Sequence, residues 1–436
     1  MTSTAQPTVR KREIFGWAMF DFANSSYTTV IVTVAFSVYF TTLVAPGPQG
    51  DWLWGVGVMI SNLIVLASAP LVGALADGSG RKKHFLAVTW LTCVAGTAAL
   101  WFALPGAVVL ALTLFVISNV AYAMGETLVG GFLPEISTPR NVGRISGIGW
   151  GLGYFGGLAC LLLIRPLLAG DFVPANLASL RLVWPLTAAF FFLAGIPTFV
   201  LLRERAQRIE HRSLTSFAAE GFRRLRATGH SIRRFRELVK FLTFFFVYCC
   251  GLMTVIAFAG IYSRKTLAFT AGELIVLFLV LQLFSAAGAF AGGPLQDRLG
   301  SRRALQWILV LWVLVCLGGA AATTKATFWV VAMGAGLGIG SLQAASRGLV
   351  GLFSPQDKSG EFFGFWGLAM RGAYALGPFV FGSISALTGS QRLAVLITAA
   401  FFVVGWVGML WVDEDKGREA AEAWRDERAV PASSPA

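Results

Sequence analysis

The sequence predicts an all-α integral membrane protein in which twelve transmembrane helices form two related six-helix bundles. Three observations lead there. The 436 residues are 56% hydrophobic and only 13% charged, with a mean hydropathy of +0.70, far from the balance of a soluble globular chain. Twelve apolar runs are each about 20 residues or longer, enough to cross roughly 30 Å of hydrocarbon. A pattern of acid, glycines and basic residues also recurs at an offset of 220 positions.

The runs lie near 14-43, 52-76, 84-104, 107-133, 144-165, 183-202, 239-263, 273-296, 304-323, 326-353, 361-387 and 391-412. They divide the chain into an N-terminal tail (1-13), an N-terminal bundle (14-202), a basic linker (203-238), a C-terminal bundle (239-412) and a tail (413-436). The first run contains Asp21 and Asn24 and shows no small-residue cleavage site, so it reads as a retained helix and not a secretory signal. Arg and Lys gather in alternate loops, at Arg10 to Arg12, Arg81 to Lys83, Arg140 and Arg144, 203-240, Arg298 to Arg303, and Lys358. The positive-inside rule puts those loops and both termini in the cytoplasm; in a bacterial cell the membrane would be the plasma (inner) membrane. Arg165, Arg181, Arg264 and Lys265 fall in outer loops and blur the pattern, yet an even number of spans still fits.

The net charge of +13 does not point to nucleic acid, because residues 203-240 alone hold eleven Arg and Lys against four Glu. That surplus sets topology, or forms a surface helix on anionic lipid with Phe217, Phe222, Leu225, Ile232, Phe235 and Leu238 turned inward. All five cysteines lie inside apolar runs and predict no disulfide framework. The mixed-charge tail from Asp413 is expected to be partly disordered.

The repeat superimposes GALADGSGRKK (73-83) on GPLQDRLGSRR (293-303), matching Gly73 with Gly293, Asp77 with Asp297 and Gly80 with Gly300, each before a basic cluster. The same shift matches Gly147 with Gly367, Tyr154 with Tyr374 and Gly157 with Gly377. Parallel repeats of this kind suit two bundles rocking about a midplane site. The 73-83 stretch resembles the signature loop between helices 2 and 3 of the major facilitator superfamily, and 293-303 its second copy. GWAMFDFANSSY, FLPEIS followed by RISGIGWGLGYFGG, and LQAASRGLVGLFSPQDKSGEFFGFWGLAMRGAYALGPFVFG resemble the "unknown major facilitator" branch, which includes fungal vacuolar amino-acid effluxers. The resemblance implies the major facilitator fold. Helix 5 lacks the proline of the antiporter signature, and helix 4 carries Glu126 where the superfamily commonly has an arginine, so antiport does not follow.

For the signature loop, the resemblance implies that Gly73 permits close helix contact and that Asp77 engages the start of helix 11 together with Arg81 or Lys82. A carboxylate is favoured at a helix N-terminus. Asp297 should act likewise beside helix 5 and Arg144, with Gly80, Gly293, Gly300 and Arg302 completing the two gate loops. Arg347 and Glu361 flank the helix 10/11 turn and are expected to brace that gate. Topology enforcement and simple capping are the structural alternatives.

Asp21 lies about 7 residues inside the first run, roughly 10 Å along the axis. A charge at a helix centre costs roughly 2.5 to 3.5 kcal/mol on insertion scales, so such groups face a cavity or a partner. Helical spacing gathers Asp21, Asn24, Ser25 and Thr28 into one polar stripe. Arg371 is the apparent opposite charge; its counterpart under the repeat is Gly151, so packing symmetry does not require it. Asp21 and Arg371 are expected to line a central cavity, to bind the two ends of a small zwitterion such as an amino acid, and to pair with each other when it is empty. A structural hydrogen-bond knot is the alternative. Asn62 and Gln282, equivalent under the repeat, offer polar contacts at mid-span or hydrogen bonds between helices, and Glu126 reads either as a proton site or as a partner for an arginine such as Arg347. The glycine rows GIGWGLGYFGG and GAGLGIG follow no strand and read as packing surfaces, not phosphate cradles.

The expected function is a secondary active or facilitative transporter for a small polar solute, working by alternating access as a monomer in the lipid bilayer, with protons as a candidate coupling ion. No nucleotide-binding motif, metal motif or cofactor site is apparent. The three histidines, His84, His211 and His230, fall in loops and supply no catalytic constellation. A non-transporting receptor or assembly factor on the same fold is the rival reading.

Overall fold

The computed structural model describes residues 9–46, 48–168, 172–205, 235–269 and 271–429. Twelve long helices run through these residues: α1 (Lys11–Val44), α2 (Pro48–Ser79), α3 (Lys82–Ala99), α4 (Val108–Gly130), α5 (Val142–Ile164), α6 (Leu177–Leu201), α7 (Arg236–Leu267), α8 (Ala271–Leu299), α9 (Ser301–Ala321), α10 (Lys325–Phe353), α11 (Ser359–Thr388) and α12 (Gln391–Met409). No strand occurs among the described residues. Eleven of the helices are long and apolar enough to cross a membrane. The twelfth, α11, is 30 residues long, and Arg371 near its middle lowers its hydropathy. Outward-facing Leu, Val, Phe and Trp side chains cover the flanks, as lipid contact requires.

The tail is described as far as residue 429, and 430–436 lie outside the described residues. Within it, Glu414–Ala429 forms a further helix, α13, whose Gly417, Ala421 and Trp424 recur at helical spacing and turn toward the protein. Composition alone does not signal this helix, because a short helix docked by one narrow face is charged over the rest of its surface. The proposed lipid-surface helix falls mostly on 206–234, outside the described residues, whereas Phe235 and Leu238 are buried at the base of α7.

The repeat seen in the sequence is also a repeat of hydrogen bonds. Tyr27 of α1 bonds Ser118 of α4 at 2.8 Å, and Tyr248 of α7 bonds Ser346 of α10 at 2.8 Å. Tyr39 donates to the Ala103 carbonyl, and Tyr262 to that of Gly319, both at 2.7 Å. Arg181 donates to Trp101 O at 2.8 Å, and Arg392 to Ala320 O at 2.8 Å. Each half also caps its third helix with a carboxylate: Glu204 accepts from Lys83 N at 2.7 Å, and Glu414 from Ser301 N and Arg302 N at 3.0 and 2.9 Å. In a membrane interior every polar group needs an internal partner, so the same solutions recur in both halves.

α5 joins the halves. Its glycines form two faces: Gly149, Gly153, Gly156 and Gly157 meet α1, while Gly143, Gly147 and Gly151 meet α8. Small residues at such spacing let backbones approach closely and gain dispersion contacts where no hydrophobic drive exists between helices. The approach is tightest at Gly156, where an added Cβ would lie 1.9 Å from the Phe22 carbonyl oxygen. Gly156→Ala is therefore expected to destabilise the protein by about 1–3 kcal/mol through overpacking, read as a lower melting temperature in detergent. Gly55→Ala, where nothing lies within 4 Å, should melt like the wild type; equal behaviour of the two variants would refute this packing account.

Candidate functional site: a central cavity closed at one end

At the end carrying the basic loops, the two halves meet through matched carboxylates. Asp77, at the end of α2, accepts from Gly360 N at 3.1 Å and Glu361 N at 2.9 Å, the first turn of α11. Asp297, at the end of α8, accepts from Gly143 N at 2.8 Å and Arg144 N at 2.9 Å, the first turn of α5. Each carboxylate thus satisfies orphan amides and meets the positive end of a helix dipole. Gly73 and Gly293 make both approaches possible, since a Cβ would lie 2.1 Å from Gly360 O and 2.5 Å from Gly143 O.

Lys82, not the exposed Arg81, neutralises Asp77, at 3.0 Å. The same ammonium bonds Glu135 at 2.8 Å in the turn after α4, and crosses to the other half at Gln356 O (3.0 Å) and Ser359 Oγ (2.6 Å). Glu135 was not singled out from the sequence; its signal was an acid directly after an apolar helix. Gly80 and Gly300 hold positive φ, +61° and +86°, where the chain turns between helices. The Arg144 side chain is exposed, so only its backbone takes part. Arg302 donates to Leu410 O at 2.9 Å within its own half, and the Glu361 carboxylate lies 3.8 Å from Lys358.

Above this closed end lies a cavity of about 1230 Å³. Its lining extends to Val34, Arg165, Tyr262 and Phe328 at the opposite end of the bundle. All eight side chains singled out as substrate or coupling candidates line it: Asp21, Asn24, Ser25, Thr28, Asn62, Glu126, Gln282 and Arg371. From Thr28 to Val34 and again from Phe40 to Val44, α1 widens into π-helical turns, a distortion that is frequent at functional sites.

The pairing of charges differs from the expected one. Asp21 pairs with Arg347 of α10 at 2.7 Å, and Arg371 pairs with Glu126 of α4 at 3.3 Å, while Asn62 accepts from Arg371 at 3.4 Å. Asp21 and Arg371 are thus not each other's partner. The reason is geometric: Arg347 lies about six residues inside the end of α10, roughly 9 Å along its axis, and reaches into the cavity floor instead of bracing the loop. There it also donates to Ser146 O at 2.9 Å and Ser146 Oγ at 3.2 Å, and its guanidinium lies over the rings of Trp17 (4.8 Å) and Trp150 (5.1 Å). Gly149 leaves room for the pair, because a Cβ there would come within 2.4 Å of both Arg347 Nη2 and Asp21 Oδ2.

Both ion pairs join one half to the other, as does a hydrogen bond from Tyr154 of α5 to Gln343 of α10. The floor is formally neutral, with two acids and two arginines. Among the described residues, three buried polar atoms of the lining have no hydrogen-bond partner: Asp21 Oδ2, which the Arg347 guanidinium neutralises, the acceptor Asn24 Oδ1 and the donor Trp150 Nε1. Farther from the floor, Val32, Leu162, Phe258, Phe278, Phe328 and Phe381 make the wall apolar.

Known proteins resemble this chain over most of its length. An "uncharacterized MFS-type transporter YxiO" of Bacillus subtilis is 27% identical across 94% of this chain and 97% of that protein. "Autophagy-related protein 22-1" of Penicillium rubens is 26% identical over 64% of this chain, which spans only half of that longer protein. Among solved structures, the proton:xylose symporter XylE superposes with a TM-score of 0.72 at 13% identity, covering 95% of this chain and 98% of XylE, a likeness of fold alone. The chain is therefore a multi-pass membrane protein with the major facilitator fold, of transporter and not enzyme type. The model of the family described as "vacuole effluxer Atg22 like" matches residues 56–422, and the chain belongs to that family.

Proposed function

We propose that the chain carries a small solute with a polar or dipolar pole, an amino acid being one candidate, across the membrane by alternating access. The observation that carries this reading is a large cavity between the halves whose sealed floor is held by two ion pairs, each with one partner in either half. A charge in the membrane interior persists only when paired or hydrated. A solute offering a cation and an anion can replace both bridges at once, and Asn24 Oδ1 and Trp150 Nε1 stand ready to bond its polar pole. By the positive-inside argument, the sealed, basic end faces the cytoplasm and the cavity faces outward. Asp21 and Glu126 are the carboxylates able to take a proton if transport is proton-coupled, and one chain holds the whole passage. A receptor or assembly factor would not need a passage this large; a densely packed interior would have favoured it.

An untargeted metabolite comparison of deletion and overexpressing cells should single out candidate solutes, to be followed as flux into proteoliposomes. Asp21→Asn and Arg371→Ala are each expected to lower that flux by about tenfold or more, a loss of ~1.4 kcal/mol of transition-state stabilisation. Wild-type flux in both variants would end the proposal.

The pairing itself is testable without a substrate. Arg347→Gln alone leaves Asp21 buried and uncompensated, and is expected to destabilise the protein by about 3–5 kcal/mol. Asp21→Asn/Arg347→Gln should recover much of that loss, the mark of direct coupling. Thermal melting in detergent reads the difference; a double variant no more stable than Arg347→Gln would show that the pair is not coupled.

A further inference from the structure

We propose that α13 belongs to the gate, with Glu414 and Trp424 acting as positioning residues that preform the α10–α11 turn (354–358) for its contact with Lys82. The inference rests on reading the basic end as the gate. α13 is fastened at three places. Glu414 caps α9 through Ser301 N and Arg302 N, as described above. Gly417 lies against the ring of Phe353, the last residue of α10, so closely that a Cβ would come within 2.3 Å of it. Trp424 Nε1 donates to the Asp357 carboxylate at 3.1 Å; its ring lies 5.7 Å from that of Phe235, and Lys358 Nζ sits 4.8 Å from the indole centroid.

The turn is held from both sides. Trp424 grips it from the C-terminal half. From the N-terminal half, Lys82 Nζ bonds Gln356 O and Ser359 Oγ, Gln356 Nε2 donates to Pro134 O at 3.1 Å, and Ser359 Oγ donates to Gly131 O at 2.7 Å. Five residues separate Phe353 from Ser359, and α13 adds its contacts at Asp357 and Lys358 to the Lys358–Glu361 pair and to the bonds from the N-terminal half. When the passage opens at this end, the contacts to Lys82, Pro134 and Gly131 are lost and the turn meets water. Its preformed shape then stabilises the sealed state more than the open one, and a contact shifts an equilibrium only through such a difference.

The test uses the full chain in nanodiscs, with spin labels on Arg140→Cys and Arg303→Cys, exposed positions in the N- and C-terminal halves at this end. The native cysteines are all buried. The distance distribution reports the sealed and open populations. Glu414→Ala and Trp424→Ala are expected to raise the open fraction about threefold or more. Trp424→Phe, which keeps the ring against Phe235 and drops the N–H to Asp357, should fall between them and the wild type. Glu414→Gln and Trp424→Phe keep the test decisive if the alanine variants fold poorly. Asp77→Asn is the reference. If it shifts the distribution while folded α13 variants match the wild type, the proposal for α13 is overturned and the gate stands. If Asp77→Asn leaves the distribution unchanged, the gate reading fails, and this proposal with it.

Discussion

A charge in the interior of a membrane protein must find an opposite charge or water, and in this chain the partners of the cavity charges lie in the other half of the molecule. Asp21 has Arg347, and Glu126 has Arg371. Attraction between such groups is strong because the surroundings are poorly polarisable, and the penalty for separating them is large for the same reason. The two halves are therefore coupled electrostatically at the floor of the cavity, beyond their packing. Any movement that parts them there has to supply new partners for four charges.

The sealed end solves a related problem with softer contacts. Asp77 and Asp297 bind backbone amides at helix N-termini, where partial charges are satisfied by water when the helix moves away. Lys82 has Asp77 and Glu135 as partners within its own half as well as Ser359 and Gln356 in the other. These interfaces can open without stranding a full charge, unlike the ion pairs of the floor. The division is between carboxylate-to-amide contacts at the sealed end and full ion pairs at the floor.

Much of this was legible in the sequence, and the limits were physical. The period of apolar runs gave the helices, and the recurrence of acid, glycine spacing and basic residues gave the twofold architecture. Asp21, Asn24, Ser25 and Thr28 were found as a stripe because helical spacing within one helix is known in advance. Which arginine meets Asp21 was not legible, because pairing between helices depends on relative rotation and height, and no single-helix pattern encodes those. Nearness in sequence places Arg347 by the α10–α11 turn, although about six residues of helix carry it well into the bundle. Glu135 was passed over because it follows a helix, where acids are commonplace; only its burial against Lys82 sets it apart. α13 was hidden by composition, since its docking face is three residues wide.

On the proposed transport reading, the neutrality of the floor would constrain what passes over it. With two acids and two arginines matched in pairs, a solute of net charge leaves one protein charge unpaired when it breaks a bridge, unless a proton or counter-ion moves with it. A dipolar solute meets both signs and leaves none. Glu126 and Asp21 could also release their arginines by taking a proton, after which each freed guanidinium would seek an anion. Both routes require the bridges to be exchanged, not simply broken, and exchange can start only where the passage is already wet. The cavity is lined by the Asp21–Arg347 and Glu126–Arg371 pairs and not by the seal residues Asp77, Lys82 and Asp297, so on the proposed reading a ligand would meet the charges before the seal beneath them parts. That order, ligand first and seal second, is the order alternating access demands.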